Sequence, residues 1–172
     1  NKYHIAYWNA VGAAATPMQF TEVFMGLQQG TIDGQENPYM NIVGNNVQEV
    51  QKYVVETNHL GHIITFYMNS DLYNGLPDNV RELVDACAKA ATQYGNDRAD
   101  ESIAEYKKTC EDAGCQIITL DDSVLAELRD KAQVVYDMVR EDLGNEIVDK
   151  MLAAVDTVRE TVVDEPTQGD EI

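Results

Sequence analysis

Positive charge is scarce in this chain: twelve Lys and Arg stand against thirty Asp and Glu, a formal charge of −18. With neither a basic patch nor a basic stripe, nucleic-acid phosphates and anionic lipid are excluded as partners. Long apolar runs are missing too, since no stretch approaches the roughly 18 to 20 residues that cross a bilayer. The opening Asn1-Lys2-Tyr3-His4 has none of the regions of a signal peptide, so a soluble chain whose export signal is already removed is expected. Cysteine is limited to Cys87, Cys110 and Cys115, the last two five apart with no histidine near them in sequence, which argues against a zinc site. Either Cys110 and Cys115 pair across a turn in an oxidising compartment, or all three thiols stay reduced. Cys87, on an apolar helical face, reads as buried core.

Catalytic signatures are equally sparse. The sequence holds no G-x-S-x-G elbow, phosphate-binding glycine loop, H-E-x-x-H helix or dinucleotide fingerprint. His4, His59 and His62 have no adjacent nucleophile and no helical metal spacing, and His59 and His62 read as packing and backbone-bonding residues. Asp33 and Glu36 would make an acid/base pair only if their environments drove their pKa values apart, and nothing in the sequence supports that split. No enzyme activity, metal or cofactor is expected.

What is present is mostly helical periodicity. Ile5, Trp8 and Val11 predict a short helix stopped by Gly12, and Thr16-Pro17-Met18 predicts an extended link. Thr21 is the expected N-cap of a helix over Glu22 to Gln29, ended by Gly30. Gln48 to Val55 fits helix or strand, while Ile63-Ile64-Thr65-Phe66-Tyr67-Met68 predicts a buried strand from its β-branched and aromatic content. Leu76-Pro77-Asp78 opens a helix of nearly thirty residues with a stripe from Val80 through Cys87 to Cys110, stopped by Gly114. A short strand over Gln116 to Leu120, an amphipathic helix through Leu125 and Val139 ending near Gly144, and a short helix carrying Ile147, Met151 and Val155 follow. Two segments result: a folded portion over residues 1–155 and an acidic, loosely ordered tail over 156–172. Helices covering a few short strands indicate an α/β class, and so few strands suggest that part of the sheet lies elsewhere.

Thr16 to Pro38 is the most informative segment, because a proline-stiffened link, a short helix and a loop closing on Asn37-Pro38 bring Phe20 and Asn37 within reach of one pocket. An asparagine amide offers donors and an acceptor to a carboxylate or hydroxyl without burying a charge, and an aromatic wall supplies desolvation. Residue chemistry alone favours Phe20 as core and Asn37 as a turn residue before proline.

Gly12-Ala13, Thr16-Pro17-Met18-Gln19-Phe20-Thr21-Glu22-Val23-Phe24-Met25-Gly26-Leu27-Gln28-Gln29-Gly30 and Ile32-Asp33-Gly34-Gln35-Glu36-Asn37-Pro38 resemble the signature stretch of TRAP transporter solute-binding proteins of the DctP family. Glu49-Val50-Gln51-Lys52-Tyr53, Thr57-Asn58-His59 and Leu76-Pro77 continue the likeness in order and spacing, to about Leu120. The resemblance implies a periplasmic-binding-protein-like two-lobed clamp, represented here mainly by the second lobe and a long spanning helix. It implies periplasmic binding of a small organic acid, with closure on a ligand that touches both lobes, and delivery to the membrane subunits of an ion-gradient-driven TRAP permease. It makes Asn37 the binding asparagine, Phe20 the pocket wall, His59 a residue supporting the site or holding its water, and Asn1 a residue at the pocket edge.

One departure stands out. The family grips its ligand carboxylate with an arginine just upstream of where this sequence begins, and lysine reproduces a bidentate contact poorly. Before Arg81, expected to be solvated, only Lys2 and Lys52 are fixed cations. The chain is therefore expected to be a fragment carrying a half-site that binds weakly or not at all by itself. A ligand-sensing input domain and a non-binding structural fragment are the alternatives.

Overall fold

The computed structural model describes the backbone of residues 1–163 and the side chains of 1–99 and 101–158. The chain divides into two compact units, one running from Met18 to Leu120 and one joining Asn1–Pro17 to the segment that begins at Asp121.

In the Met18–Leu120 unit, helix α2 covers Phe20–Gln29 and is stopped by Gly30 in the left-handed conformation. Its N-cap is Gln19 in extended geometry, with no side-chain cap, so the helix starts one residue before the expected Thr21 cap. A short helix α3 (Tyr39–Gly44) begins directly after Pro38, whose fixed φ suits a helix start. A 3-10 turn at Val47–Glu49 leads into strand β1 (Tyr53–Glu56), which settles the ambiguous stretch as a turn followed by a strand. After a five-residue helix α4 (Ser70–Asn74) comes the long helix α5 (Asp78–Asp112), then strand β2 (Gln116–Thr119). The two strands pair in parallel, Tyr53 with Gln116 through Glu56 with Thr119. Parallel pairing requires a crossover, and α5 supplies it. Val23, Leu27, Ile42, Val47, Cys110 and Cys115 form the buried cluster under this crossover, with Phe20, Ile32 and Val54 among the residues packed around it.

Two expectations fail here for one reason, the lack of a covering partner. Ile63 to Met68 adopts no regular structure, and Ile63 and Tyr67 are 84% and 94% exposed. A strand needs a neighbouring backbone to take up its hydrogen bonds, and among the described residues the sheet has only β1 and β2. Cys87 is exposed and not core, as are Leu83 and Tyr94 on the same apolar stripe; among the described residues of α5, full burial arrives only at Cys110. Cys110 and Cys115 are both buried and present as free thiols.

In the other unit, α1 (Lys2–Val11) ends at Gly12 with φ 107°. It packs on α6 (Asp122–Lys131) and α7 (Gln133–Leu143), and α7 packs on α8 (Asn145–Val163). The single helix expected between Leu125 and Val139 is thus two, broken at Ala132, whose N–H reaches both Leu128 O at 3.2 Å and Arg129 O at 3.0 Å. Among the described residues of this unit, Tyr7 and Val148 are the buried hydrophobic side chains. Lys2 and Tyr3 both engage the Asp142 carboxylate, and Arg140 pairs with Asp149 at 2.6 Å. Helix α8 passes through Asp156, where the acidic tail was expected to begin; residues 164–172 lie outside the described residues.

Candidate functional site

The loop between α2 and α3 carries hydrogen-bonded polar side chains. It leaves α2 in a tight turn: Thr31 N–H donates to Gly26 O at 2.9 Å, and the Ile32 side chain lies where a Cβ on Gly26 would meet it at 3.2 Å. The close approach of Ile32 anchors the loop's start on the helix. Its end is fixed by Pro38, so Asn37 sits between two constrained points.

Asn37 is half-buried, and both ends of its amide are held. Its Nδ2 donates to Gln35 Oε1 at 2.7 Å, and its Oδ1 accepts from Asn41 Nδ2 at 3.1 Å. An asparagine amide has two N–H donors and two acceptor lone pairs, so one of each remains after these contacts. The adjacent Glu36 carboxylate lies 3.5 Å from His59 Nε2, while His59 Nδ1 is 2.7 Å from Thr57 Oγ1. The Glu36–His59 contact ties the α2–α3 loop to the chain leaving β1.

Phe20 opens α2 and packs against the apolar cluster with Val23 and Leu27. Asn1 belongs to the other unit, where its Oδ1 accepts from Tyr3 N at 2.9 Å and caps α1. Arg81 pairs with Asp78 in the first turn of α5. The four expected positions have different surroundings: Asn37 is held by Gln35 and Asn41, His59 contacts Glu36 and Thr57, Phe20 packs on the core, and Asn1 is a helix cap.

A second polar cluster escaped sequence reasoning. Period-2 alternation puts Glu56 on the same half-buried face of β1 as Val54. Its carboxylate meets Lys107 Nζ of α5 at 2.6 Å, Tyr39 OH at 3.1 Å and Thr119 Oγ1 of β2 at 3.2 Å. The Lys107 ammonium and the two hydroxyls hold the Glu56 carboxyl below its ordinary pKa, against the opposing pull of burial. Burial, with the Glu56 carboxylate beside it, keeps the Tyr39 phenol protonated well above its ordinary range. The residues are 39, 56, 107 and 119, so no linear motif joins them; the one legible signal is an acidic residue on the inward face of an apolar strand. The cluster fastens α3, β1, α5 and β2 together.

An open groove of about 510 Å³ lies at the start of the strand pair, lined by Gln48, Lys52, Tyr53 and Gly114 among others. None of Phe20, Asn37 and His59 lines it, and its openness to solvent suits a surface recess better than a ligand site. Among the described residues no group of three or more His, Cys, Asp or Glu side chains gathers in a metal-binding arrangement, and no helix is long and apolar enough to cross a membrane.

Comparison with known proteins gives a consistent picture. Residues 1–142 match the family model described as bacterial extracellular solute-binding protein, family 7. The C4-dicarboxylate-binding periplasmic protein DctP of Rhodobacter capsulatus is 33% identical over 152 residues, which cover 87% of this chain and 44% of that protein. The periplasmic ectoine-binding protein of the TeaABC TRAP transporter from Halomonas elongata superimposes with a TM-score of 0.79 at 26% identity, covering 91% of this chain and 52% of that one. A TRAP periplasmic solute-binding protein from Shewanella oneidensis, solved with bound succinate, superimposes with a TM-score of 0.76 at 28% identity, covering 90% and 51%. The chain spans less than half the length of the first curated relatives it matches, from 31% to 44%.

Proposed function

Since the chain belongs to family 7 of the bacterial extracellular solute-binding proteins, we propose that it forms one part of a periplasmic two-lobed receptor that binds a small organic acid through a carboxylate and passes it to a TRAP permease. The observation that carries this reading is the Asn37 amide, held by Gln35 and Asn41 yet keeping one donor and one acceptor unspent. Such a group meets a carboxylate or an adjacent hydroxyl with little side-chain entropy left to lose, because its rotamer is already set. The named substrates of the relatives include C4-dicarboxylates, and one solved relative holds succinate. In this reading the Glu56–Lys107 cluster is scaffold, and Phe20 contributes an apolar wall from its place on the core. The protein acts by binding and closing, without chemistry on the solute.

Thermal unfolding against a panel of small organic acids tests the proposal, measured on this chain and on a version extended at its N-terminus to the length of the relatives. A ligand at 100 times its Kd stabilises the native state by about 2.7 kcal/mol. The expected result is a raised midpoint for the extended protein with at least one acid, and no such rise in Asn37→Ala measured against that variant's own ligand-free midpoint. If no acid shifts the extended protein, the receptor reading fails.

A further inference from the structure

We propose that Cys110 and Cys115 are a disulfide-forming pair that locks the end of the long helix to the strand that follows it. The helix ends in a two-bond turn: Gly114 N–H donates to Glu111 O at 2.8 Å, Cys115 N–H donates to Cys110 O at 2.9 Å, and Gly114 has φ 91°. This is the Schellman arrangement, with Cys110 as the third residue from the helix end and Cys115 as the second residue beyond it. Those two positions are the ones whose side chains ordinarily touch across such a turn. Both thiols indeed lie in the same buried cluster, with Cys110 wholly buried. The turn therefore sets the two side chains at neighbouring positions by local backbone bonds, and the core encloses both.

Cys115 is also tied outward, because its S–H donates to Gln51 O at 3.1 Å and Gln48 O at 3.4 Å, on the turn that leads into β1. These are weak donations, so giving them up to a covalent bond sacrifices little. Burial raises both thiol pKa values and suppresses the thiolate that exchange requires. Oxidation accordingly belongs to the stage when the turn exists and the core is still open, and the finished bond is then shielded from reductant. In the reaction each thiol loses its proton, one S–S bond forms, and two electrons reduce the disulfide of a small thiol or dithiol oxidant to two thiols. The inference rests on the extracytoplasmic location proposed above for its natural oxidant. The test supplies its own oxidant, so its failure would remove the pair and leave the location standing.

The test uses the Cys87→Ser variant, since Cys87 is exposed and would link separate molecules. The protein is refolded in a buffer rich in oxidised glutathione, quenched in acid, and alkylated after denaturation, with and without prior reduction. Expected are no alkylated thiols before reduction and two after, with peptide mapping joining Cys110 to Cys115. Reductant should lower the unfolding midpoint of the oxidised form by about 4 to 8 °C, a shift absent when Cys110→Ser and Cys115→Ser are added. Two thiols alkylated without reduction, or glutathione adducts on either residue, would overturn the assignment.

Discussion

Replacing Lys107 with methionine keeps much of the aliphatic stem of the side chain and removes the charge that faces Glu56. The Glu56 side chain is 15% exposed and keeps only two neutral donors, Tyr39 and Thr119, once the ammonium 2.6 Å away is gone. Breaking one side of a fully buried pair costs about 3 to 5 kcal/mol. Lys107 is 39% exposed, so solvent screens part of that interaction, and we expect a loss of about 1 to 2 kcal/mol at pH 7. The sign of the pH dependence follows from the depressed carboxyl pKa of Glu56. Its contribution is fully present above the unfolded carboxylate pKa of about 4.3 and is lost as pH falls through the lower folded value. Urea unfolding of both proteins from pH 7 to about pH 3, read as midpoint shifts at a common slope, should therefore show curves that converge in acid. Adding Glu56→Gln to Lys107→Met should recover part of the loss at neutral pH by removing the uncompensated charge. A cost below about 0.3 kcal/mol at pH 7, or one unchanged in acid, refutes the reasoning.

Val47 is 1% exposed at the centre of the apolar cluster, so Val47→Ala should cost about 2 to 3 kcal/mol in urea unfolding from lost burial and the remaining void. Gly114→Ala meets no atom within 4 Å but must hold φ 91°; we expect a loss of about 1 to 2 kcal/mol from backbone strain alone, measured as a lowered thermal midpoint. Ile63→Asn and Tyr67→Asn, at positions 84% and 94% exposed, should leave the unfolding midpoint of this chain within about 0.5 kcal/mol of its starting value.

Local rules carried the sequence reading a long way. Gly12, Gly30 and Gly114 stop helices where expected, because each supplies a left-handed residue that side chains disfavour. Pro77 and the apolar stripe announced the long helix, and the short strand expected over Gln116 to Leu120 is β2 at Gln116–Thr119. The D-G-Q-E-N-P run pointed to family and to loop, since both reside in contiguous residues. The family match over residues 1–142 confirms the first of these, and the structure supplies the hydrogen bonds that orient Asn37 in the second.

Tertiary structure alone decided burial and long-range partnership. An apolar stripe states which side chains favour leaving water, not whether anything arrives to cover them, so Cys87 and Ile63 to Met68 were read as interior and stand exposed. Likewise nothing in the order of residues joins Tyr39, Glu56, Lys107 and Thr119, whose ion pair and hydrogen bonds exist only once β1 pairs with β2 and α5 crosses between them. Propensity, capping and motif are properties of neighbours along the chain, and the sequence determined them by itself. Enclosure and charge pairing are properties of neighbours in space, and they follow from how the elements pack.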